Sequence, residues 1–159
     1  MITLSTTQRK MPTLGKRAVS NVPVQTARDT YTDFVHRHLV YILTDPAENG
    51  LGLPSGPKYD IPLALASKQY NSDGTLFDPK DETDSLWGDV IHVNGQPWPY
   101  MKVEPRKYRF RILDTSISRA FKLTLEDERS RKLSFHVIAA DTGLMSQPVQ
   151  TDNLEISMA

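Results

Sequence analysis

The chain has 159 residues, no cysteine, and equal numbers of basic and acidic residues, 19 of each. Its length is sufficient for one domain with a hydrophobic core, and the lack of cysteine excludes disulfides and thiolate metal sites. The apolar fraction of 38% is that of a globular protein, and no apolar run approaches the roughly 20 residues that a membrane span needs.

The charge is unevenly distributed along the chain. Residues 1–40 carry six Lys or Arg and two Asp, a net charge of +4, whereas the remainder carries 13 basic and 17 acidic residues, a net charge of −4. The segment has little periodicity and lacks the apolar stretch of a secretory signal. We predict that residues 1–40 form a basic, disordered tail. A mitochondrial transit peptide and a nucleic-acid-binding arm are weaker interpretations, and the compartment stays unknown.

The next segments alternate between strand and turn signals. Residues 34–43, FVHRHLVYIL, have the pattern of a strand, and residues 44–57, TDPAENGLGLPSGP, are rich in turn formers. We therefore place a linker at residues 41–57. Residues 59–70 form a second strand signal with apolar side chains on one face, and the NSDG sequence at residues 71–74 predicts a turn.

Residues 88–113 contain the strongest hairpin signal in the chain. The apolar stretch VIHV ends at Asn94-Gly95, a dipeptide that tolerates the positive φ angles of a tight turn. Prolines flank Trp98 and cannot donate to a ladder, so this piece is predicted to be an edge or crossing segment and not a central strand. From residue 108 to residue 112, aromatic and apolar side chains alternate with Arg109 and Arg111, which predicts a strand with one cationic face.

The C-terminal third repeats the same pattern. Alternating segments at residues 121–125, 134–140 and 154–158 are separated by a charged loop at residues 126–132 and by a turn that contains Asp141. Several short strands without a long helical period predict an all-β, Greek-key β-sandwich. Because the final alternating strand continues to the end of the sequence, we expect this sandwich to be incomplete at its C-terminal end.

Four ordered blocks carry a resemblance to a known family: residues 43–56, 59–77, 88–113 and 135–159. They resemble the middle cupredoxin domain of multicopper oxidases, in particular the group of fungal bilirubin oxidases and bacterial spore-coat laccases. The resemblance covers about three quarters of the chain, from residue 40 to the end. It implies that residues 41–57 are an interdomain linker, and it assigns residues 58–159 to a second cupredoxin domain that is expected to be truncated.

The resemblance implies a copper-dependent oxidoreductase that oxidises phenolic or tetrapyrrole substrates and reduces dioxygen to water. In that scheme the middle domain is a copper-free spacer, and its partners are the first and third cupredoxin domains. The mononuclear copper of the family is held by two His and a Cys thiolate. The three-copper cluster takes its His-x-His pairs from the first and third domains. With four His and no Cys, this chain is expected to bind no copper and, as a fragment, to be inactive alone.

The histidines have separate interpretations. His36 and His38 form a His-x-His pair, whose imidazoles would share one face of a strand. They are the low-probability copper candidates, because spacing alone is weak evidence for a site. His92 and His136 lie in strand segments and are interpreted as structural.

Six other positions are predicted to be structural. Asn94, Gly95 and Asp141 are turn formers. Arg109 and Arg111 could pair with acids of a neighbouring domain, but a solvated face is the favoured interpretation. Trp98, like Trp87 and Tyr100, could line a substrate groove, although core packing or a domain contact is favoured.

Two alternatives from other functional classes stay open. One is a non-enzymatic cupredoxin interaction module, which would need an exposed apolar patch. The other is a weak copper binder that uses His36 and His38. Self-association through exposed interdomain surfaces is also expected, whereas nucleic-acid and membrane partners are not.

Overall fold

The computed structural model describes residues 3–10, 42, 46–78, 88–116, 119–141 and 143–158. This part of the chain is built almost entirely of strands. It contains one 3₁₀ helix, Pro46–Leu51, and ten strands: β1 (Thr3–Lys10), β2 (Asp60–Lys68), β3 (Val90–Val93), β4 (Gln96–Pro97), β5 (Arg109–Asp114), β6 (Arg119–Glu126), β7 (Lys132–Leu133), β8 (Phe135–Ala140), β9 (Gly143–Thr151) and β10 (Leu154–Ile156). Within the same residues, no helix is long and apolar enough to cross a membrane.

The strands form two four-stranded sheets and one hairpin. The first sheet has the order β4-β3-β2-β5, and the second has β6 between β1 and β10, with β7 also paired to β6. Strands β2 and β5 run parallel, in a register that pairs Asp60 with Arg109 and Leu65 with Asp114. The hairpin consists of β8 and β9. The parallel β2–β5 pair positions the charged site described below.

The hydrophobic core lies between the two four-stranded sheets. Leu65 and Ile91 come from the first sheet, whereas Phe121 and Leu123 come from β6 in the second. Partly buried side chains from both sheets surround these four: Leu63, Val93, Ile112, Leu154 and Ile156. Two sheets that share one core make a sandwich, and the predicted all-β class is confirmed.

The hairpin predicted at Asn94-Gly95 is present. Asn94 and Gly95 have φ angles of 51° and 81°, the left-handed values that a primed turn requires. The turn joins β3 to β4, and β4 is the edge strand of its sheet, as the prolines predicted. The NSDG turn is also present, closed by hydrogen bonds from Asn71 N to Thr75 O and from Gly74 N to Asn71 O.

Strand β9 was not expected from the sequence. Its residues GLMSQPVQT include a proline and several polar side chains, and all but Thr151 are exposed. A strand with no buried face lacks the alternation by which strands are recognised. The sequence signal therefore identified β8 and the turn after it but not the returning strand.

The N-terminal segment contributes β1. Within the predicted tail, Thr3–Lys10 pairs antiparallel with β6, from Thr3 opposite Glu126 to Lys10 opposite Arg119. Residues 11–41, which include His36 and His38, lie outside the described residues. The division into tail (1–40), linker (41–57) and domain (58–159) stays a prediction.

Gly88 provides a test of the close packing before β3. A Cβ atom at this buried position would lie 2.5 Å from the backbone N of Lys68 and 2.5 Å from the backbone C of Ser67. Backbone atoms cannot give way without moving β2, so we expect Gly88→Ala to lower the free energy of unfolding by about 1–3 kcal/mol. Urea unfolding would measure this loss. Gly50→Ala, where a Cβ meets nothing within 4 Å, is the control, and equal losses in the two variants would contradict the prediction.

Candidate functional site

Four charged side chains form a partly buried network between the 3₁₀ helix and the first sheet. Arg111 binds Asp60 with two parallel hydrogen bonds, Nε to Oδ1 at 2.8 Å and a terminal N to Oδ2 at 2.9 Å. Arg109 donates to Oε2 of Glu48 at 2.9 Å. The cross pairs Arg109–Asp60 and Arg111–Glu48 are both 3.8 Å apart. We call Glu48, Asp60, Arg109 and Arg111 the linker network.

The local structure explains why these four side chains meet. Alternation along β5 places Arg109 and Arg111 on the same face. The parallel register brings Asp60, the first residue of β2, beside Arg109. Backbone hydrogen bonds hold the connection, with Tyr59 N and Asp60 N both donating to Gly56 O and Arg109 N donating to Tyr59 O.

The favoured interpretation of the two arginines as a solvated face is wrong. Their side chains are only 10% and 22% exposed, and both are paired with acids of this chain. The hydrogen bonds from Arg111 to Asp60 raise the pKa of Arg111. Bidentate pairs of this kind are among the stronger polar interactions in proteins. The cationic face thus anchors the segment that contains Glu48.

Asn94 and His92 fix the turn between β3 and β4. The Asn94 side chain accepts from Ala64 N at 2.8 Å and donates to Pro62 O at 2.9 Å, so it joins the turn to β2. His92 is buried, and Nδ1 lies 3.1 Å from Gly95 O while Nε2 lies 3.0 Å from the Tyr70 hydroxyl. Because a carbonyl only accepts, Nδ1 carries the proton and Nε2 accepts from Tyr70. Burial lowers the pKa of His92, which favours this neutral ring.

An aromatic cluster lies where β2 and β5 begin. Tyr59 meets Tyr108 edge to face with ring centroids 5.6 Å apart, and Tyr108 stacks on Phe110 at 6.1 Å. The Arg106 guanidinium lies 3.6 Å from the centre of the Tyr59 ring, a cation–π geometry. Glu104 accepts from the Tyr59 hydroxyl at 3.0 Å. Phe110 stays partly exposed, so the cluster is a surface feature.

Several large apolar side chains are exposed on other parts of the described surface. Trp98 and Tyr100 are 65% and 80% exposed, so the expectation that they fill the core is wrong. Trp98 has a φ of 39°, and its backbone N donates to Ile91 O of β3 at 2.9 Å, so the exposed side chain lies at the edge of the sheet. The other exposed apolar side chains include Met101, Leu144, Met145 and Val149. A domain contact for Trp98 and Tyr100 stays a prediction, and Trp87 lies outside the described residues.

Asp114 is a buried acid at the end of β5. Its Oδ1 accepts from Ser116 N at 2.8 Å, while Oδ2 has no hydrogen-bond partner among the described residues. Burial raises the pKa of Asp114 to about 6. Since its ordinary value is 3.8, the fold disfavours the ionised carboxylate.

The raised pKa of Asp114 predicts that replacing this residue stabilises the fold, by an amount that depends on pH. The stability contributed by Asp114 is fully present below pH 3.8 and is lost as pH rises through about 6. Asp114→Asn removes the buried charge, and we expect it to raise the free energy of unfolding at pH 7 by about 2 kcal/mol. Urea unfolding of the parent chain and of Asp114→Asn between pH 4 and 7 would measure this. We expect the difference in their free energies of unfolding to decrease as the pH falls. A variant less stable than the parent at pH 7 would contradict the prediction, and Asp89→Asn, at an exposed acid, is the control.

The remaining sequence-predicted residues lie apart from the linker network. His136 is exposed on β8, and Asp141 is exposed at the turn before β9. Glu48 and Asp60 were not predicted from the sequence. The signal in the sequence was the pair of arginines on one face of β5, which indicates acidic partners. The identity of those partners depends on the parallel pairing of β2 with β5, which joins distant segments: Asp60 and Arg111 are 51 residues apart in the sequence.

Comparisons with known proteins give one consistent result, although no family model matches the chain. Bilirubin oxidase of Albifimbria verrucaria is 55% identical over 123 residues, which is 76% of this chain. A laccase of Bacillus subtilis is 37% identical over 131 residues. The crystal structure of the McoA multicopper oxidase from Aquifex aeolicus matches 72% of this chain with a TM-score of 0.64 and 34% identity. The chain belongs to the multicopper oxidase family.

This multicopper oxidase chain spans about a quarter of the length of the relatives that it matches. The matched regions are 22% of the Albifimbria protein, 25% of the Bacillus protein and 26% of the Aquifex protein. The likeness to McoA also supports the cupredoxin-like assignment of the sandwich. The full-length relatives therefore contain further cupredoxin domains beside the one matched here.

The described residues do not fit the copper centres that the family implies. The whole sequence lacks the cysteine that a mononuclear centre needs. Among the described residues, no three His, Asp or Glu side chains are grouped so that they could hold a metal ion. Both ring nitrogens of His92 are engaged in hydrogen bonds. No step of copper chemistry is therefore assigned to these residues.

Proposed function

We propose that this chain is the middle cupredoxin domain of a bilirubin oxidase-like multicopper oxidase, acting as a copper-free spacer between the first and third domains. The observation that carries the proposal is the linker network. It secures the segment that enters the sandwich through pairs between 2.8 and 3.8 Å. A spacer must hold its neighbours in one orientation, and a fixed linker supplies that.

The proposed activity belongs to the full-length protein. It oxidises phenolic or tetrapyrrole substrates and passes the electrons to dioxygen, which is reduced to water. Copper is held by residues of the other domains. The part of this chain is to place those domains so that their ligands meet, and the chain alone is inactive.

The exposed apolar side chains support contacts with neighbouring domains. Trp98, Tyr100 and Met101 lie on one connection, and Leu144, Met145 and Val149 lie on β9. A two-stranded hairpin with exposed apolar residues is marginal by itself. In the proposed full-length protein these residues are buried against the first and third domains.

A domain exchange tests the proposal. The region of Albifimbria verrucaria bilirubin oxidase that aligns with this chain would be replaced by the corresponding residues of this chain, at 55% identity. We expect the chimera to bind copper as the parent does and to retain oxygen uptake with a phenolic substrate. A second chimera with Phe121→Ala in the core is the control for a domain that cannot fold.

The outcomes are distinguished by copper content and by folding. A monodisperse, folded chimera that loads no copper would overturn the spacer proposal. A chimera that loads copper and consumes oxygen supports it, especially if the Phe121→Ala control does neither.

A second candidate is a non-enzymatic interaction module, favoured by the same exposed apolar side chains. Trp98→Ser with Tyr100→Ser removes two of the most exposed aromatic groups. If the surface mediates self-association, the parent chain sediments as oligomers and the double variant as a monomer. Monomers in both cases would count against this candidate.

A further inference from the structure

We propose that Glu48 is a positioning residue that fixes the direction in which the chain enters the cupredoxin sandwich. This inference rests on the proposed spacer function and assigns that function to one side chain. Glu48 is the only member of the linker network that comes from the Pro46–Leu51 helix, whereas Asp60, Arg109 and Arg111 belong to β2 and β5.

Glu48 connects the 3₁₀ helix to both arginines of β5, and we call this connection the clamp. Oε2 of Glu48 lies 2.9 Å from Arg109 and 3.8 Å from Arg111, so one carboxylate oxygen contacts both cations. The Glu48 side chain is only 15% exposed, which reduces screening by water. Because 3₁₀ helices have poor hydrogen-bond geometry and runs longer than about four residues are uncommon, we expect this six-residue helix to depend on the contact with Arg109.

Glu48 and Asp60 have different roles in the linker network: Glu48 holds the helix, and Asp60 joins β2 to β5. Asp60 binds both nitrogens of the Arg111 fork and lies 3.8 Å from Arg109, so the arginines keep an acid of the sheet when Glu48 is removed. Loss of Glu48 therefore releases the helix while β2 and β5 remain joined. Loss of Asp60 disturbs the sheet itself.

The nearby Lys58–Glu104 ion pair offers a matched control. Lys58 lies two residues before Asp60 in the sequence, its ion pair with Glu104 is well exposed, and neither partner belongs to the linker network. Surface pairs of this kind contribute little. Lys58→Ala should therefore leave the placement of the helix unchanged.

Hydrogen–deuterium exchange on the intact 159-residue chain tests the clamp. In Glu48→Ala we expect the amides of residues 47–53 to exchange about tenfold faster, while those of β2 and β5 keep their parent rates. Lys58→Ala should match the parent in both regions. Unchanged exchange at residues 47–53, or equal acceleration across all strands, would overturn the inference.

Copper content and oxygen uptake of the bilirubin oxidase chimera test whether the contact made by Glu48 matters for the proposed spacer function. In the bilirubin oxidase chimera, Glu48→Ala should lower copper content and oxygen uptake while the melting temperature falls by only a few degrees. Full copper loading with a freed helix would overturn the positioning role. If the unaltered chimera fails to load copper, the spacer proposal fails, and the exchange experiment still decides whether Glu48 holds the helix.

Discussion

Replacing Asp60 by alanine should lower the free energy of unfolding by about 2–4 kcal/mol. The substitution removes both acceptors of the Arg111 fork and the nearby charge opposite Arg109. The two guanidinium groups would then stay in a partly buried site with Glu48 as their remaining acid among the network residues. A desolvated cation that has lost its main partner is costly. Urea or thermal unfolding at pH 7 measures the effect.

The control for this prediction is Glu104→Ala. Glu104 is also an acid paired with a basic side chain near β2, but its ion pair with Lys58 is exposed. Its removal should have little effect on stability. Equal losses for Asp60→Ala and Glu104→Ala would show that the linker network stabilises the fold no more than an ordinary surface pair does.

Truncating Phe121 to alanine should be the most damaging single change, at about 3–5 kcal/mol. Phe121 is 1% exposed, lies on the central strand of the second sheet, and belongs to the core shared with Leu65 and Ile91 of the first sheet. Its loss leaves a cavity between the two sheets. Such a loss is a large fraction of the 5–15 kcal/mol by which domains are usually stable.

Two further variants make the result specific. Phe121→Leu keeps most of the apolar volume and should recover a large part of the loss. Phe110→Ala truncates an aromatic residue that is partly exposed, and its cost should be much smaller. A Phe121→Ala variant as stable as Phe110→Ala would contradict the sandwich described here.

The features that were predictable from the sequence depend on local physics. The Asn94-Gly95 turn was predictable because few dipeptides adopt two successive positive φ angles readily. The buried face of β6 was predictable because Phe121 and Leu123 alternate with polar residues. The family could be recognised because four such blocks occur in a fixed order.

The features that were missed depend on long-range pairing or on exposure. The linker network requires β2 and β5 to lie parallel, and alternation within β5 contains no information about which acids it meets. Strand β9 has an exposed surface and so no alternation. The spacing of the aromatics favours a core position or a domain contact for Trp98, but Trp98 follows the short edge strand β4 and its side chain is 65% exposed.

The measurement that tests the central claim most directly is the number of copper ions retained per chain after reconstitution with Cu(I) and Cu(II), with oxygen uptake on a phenolic substrate recorded on the same samples. A spacer domain is expected to retain no stoichiometric copper and to consume no oxygen. Tightly held copper with turnover would contradict the account. The double variant His36→Ala, His38→Ala would then show whether the His-x-His pair holds that copper.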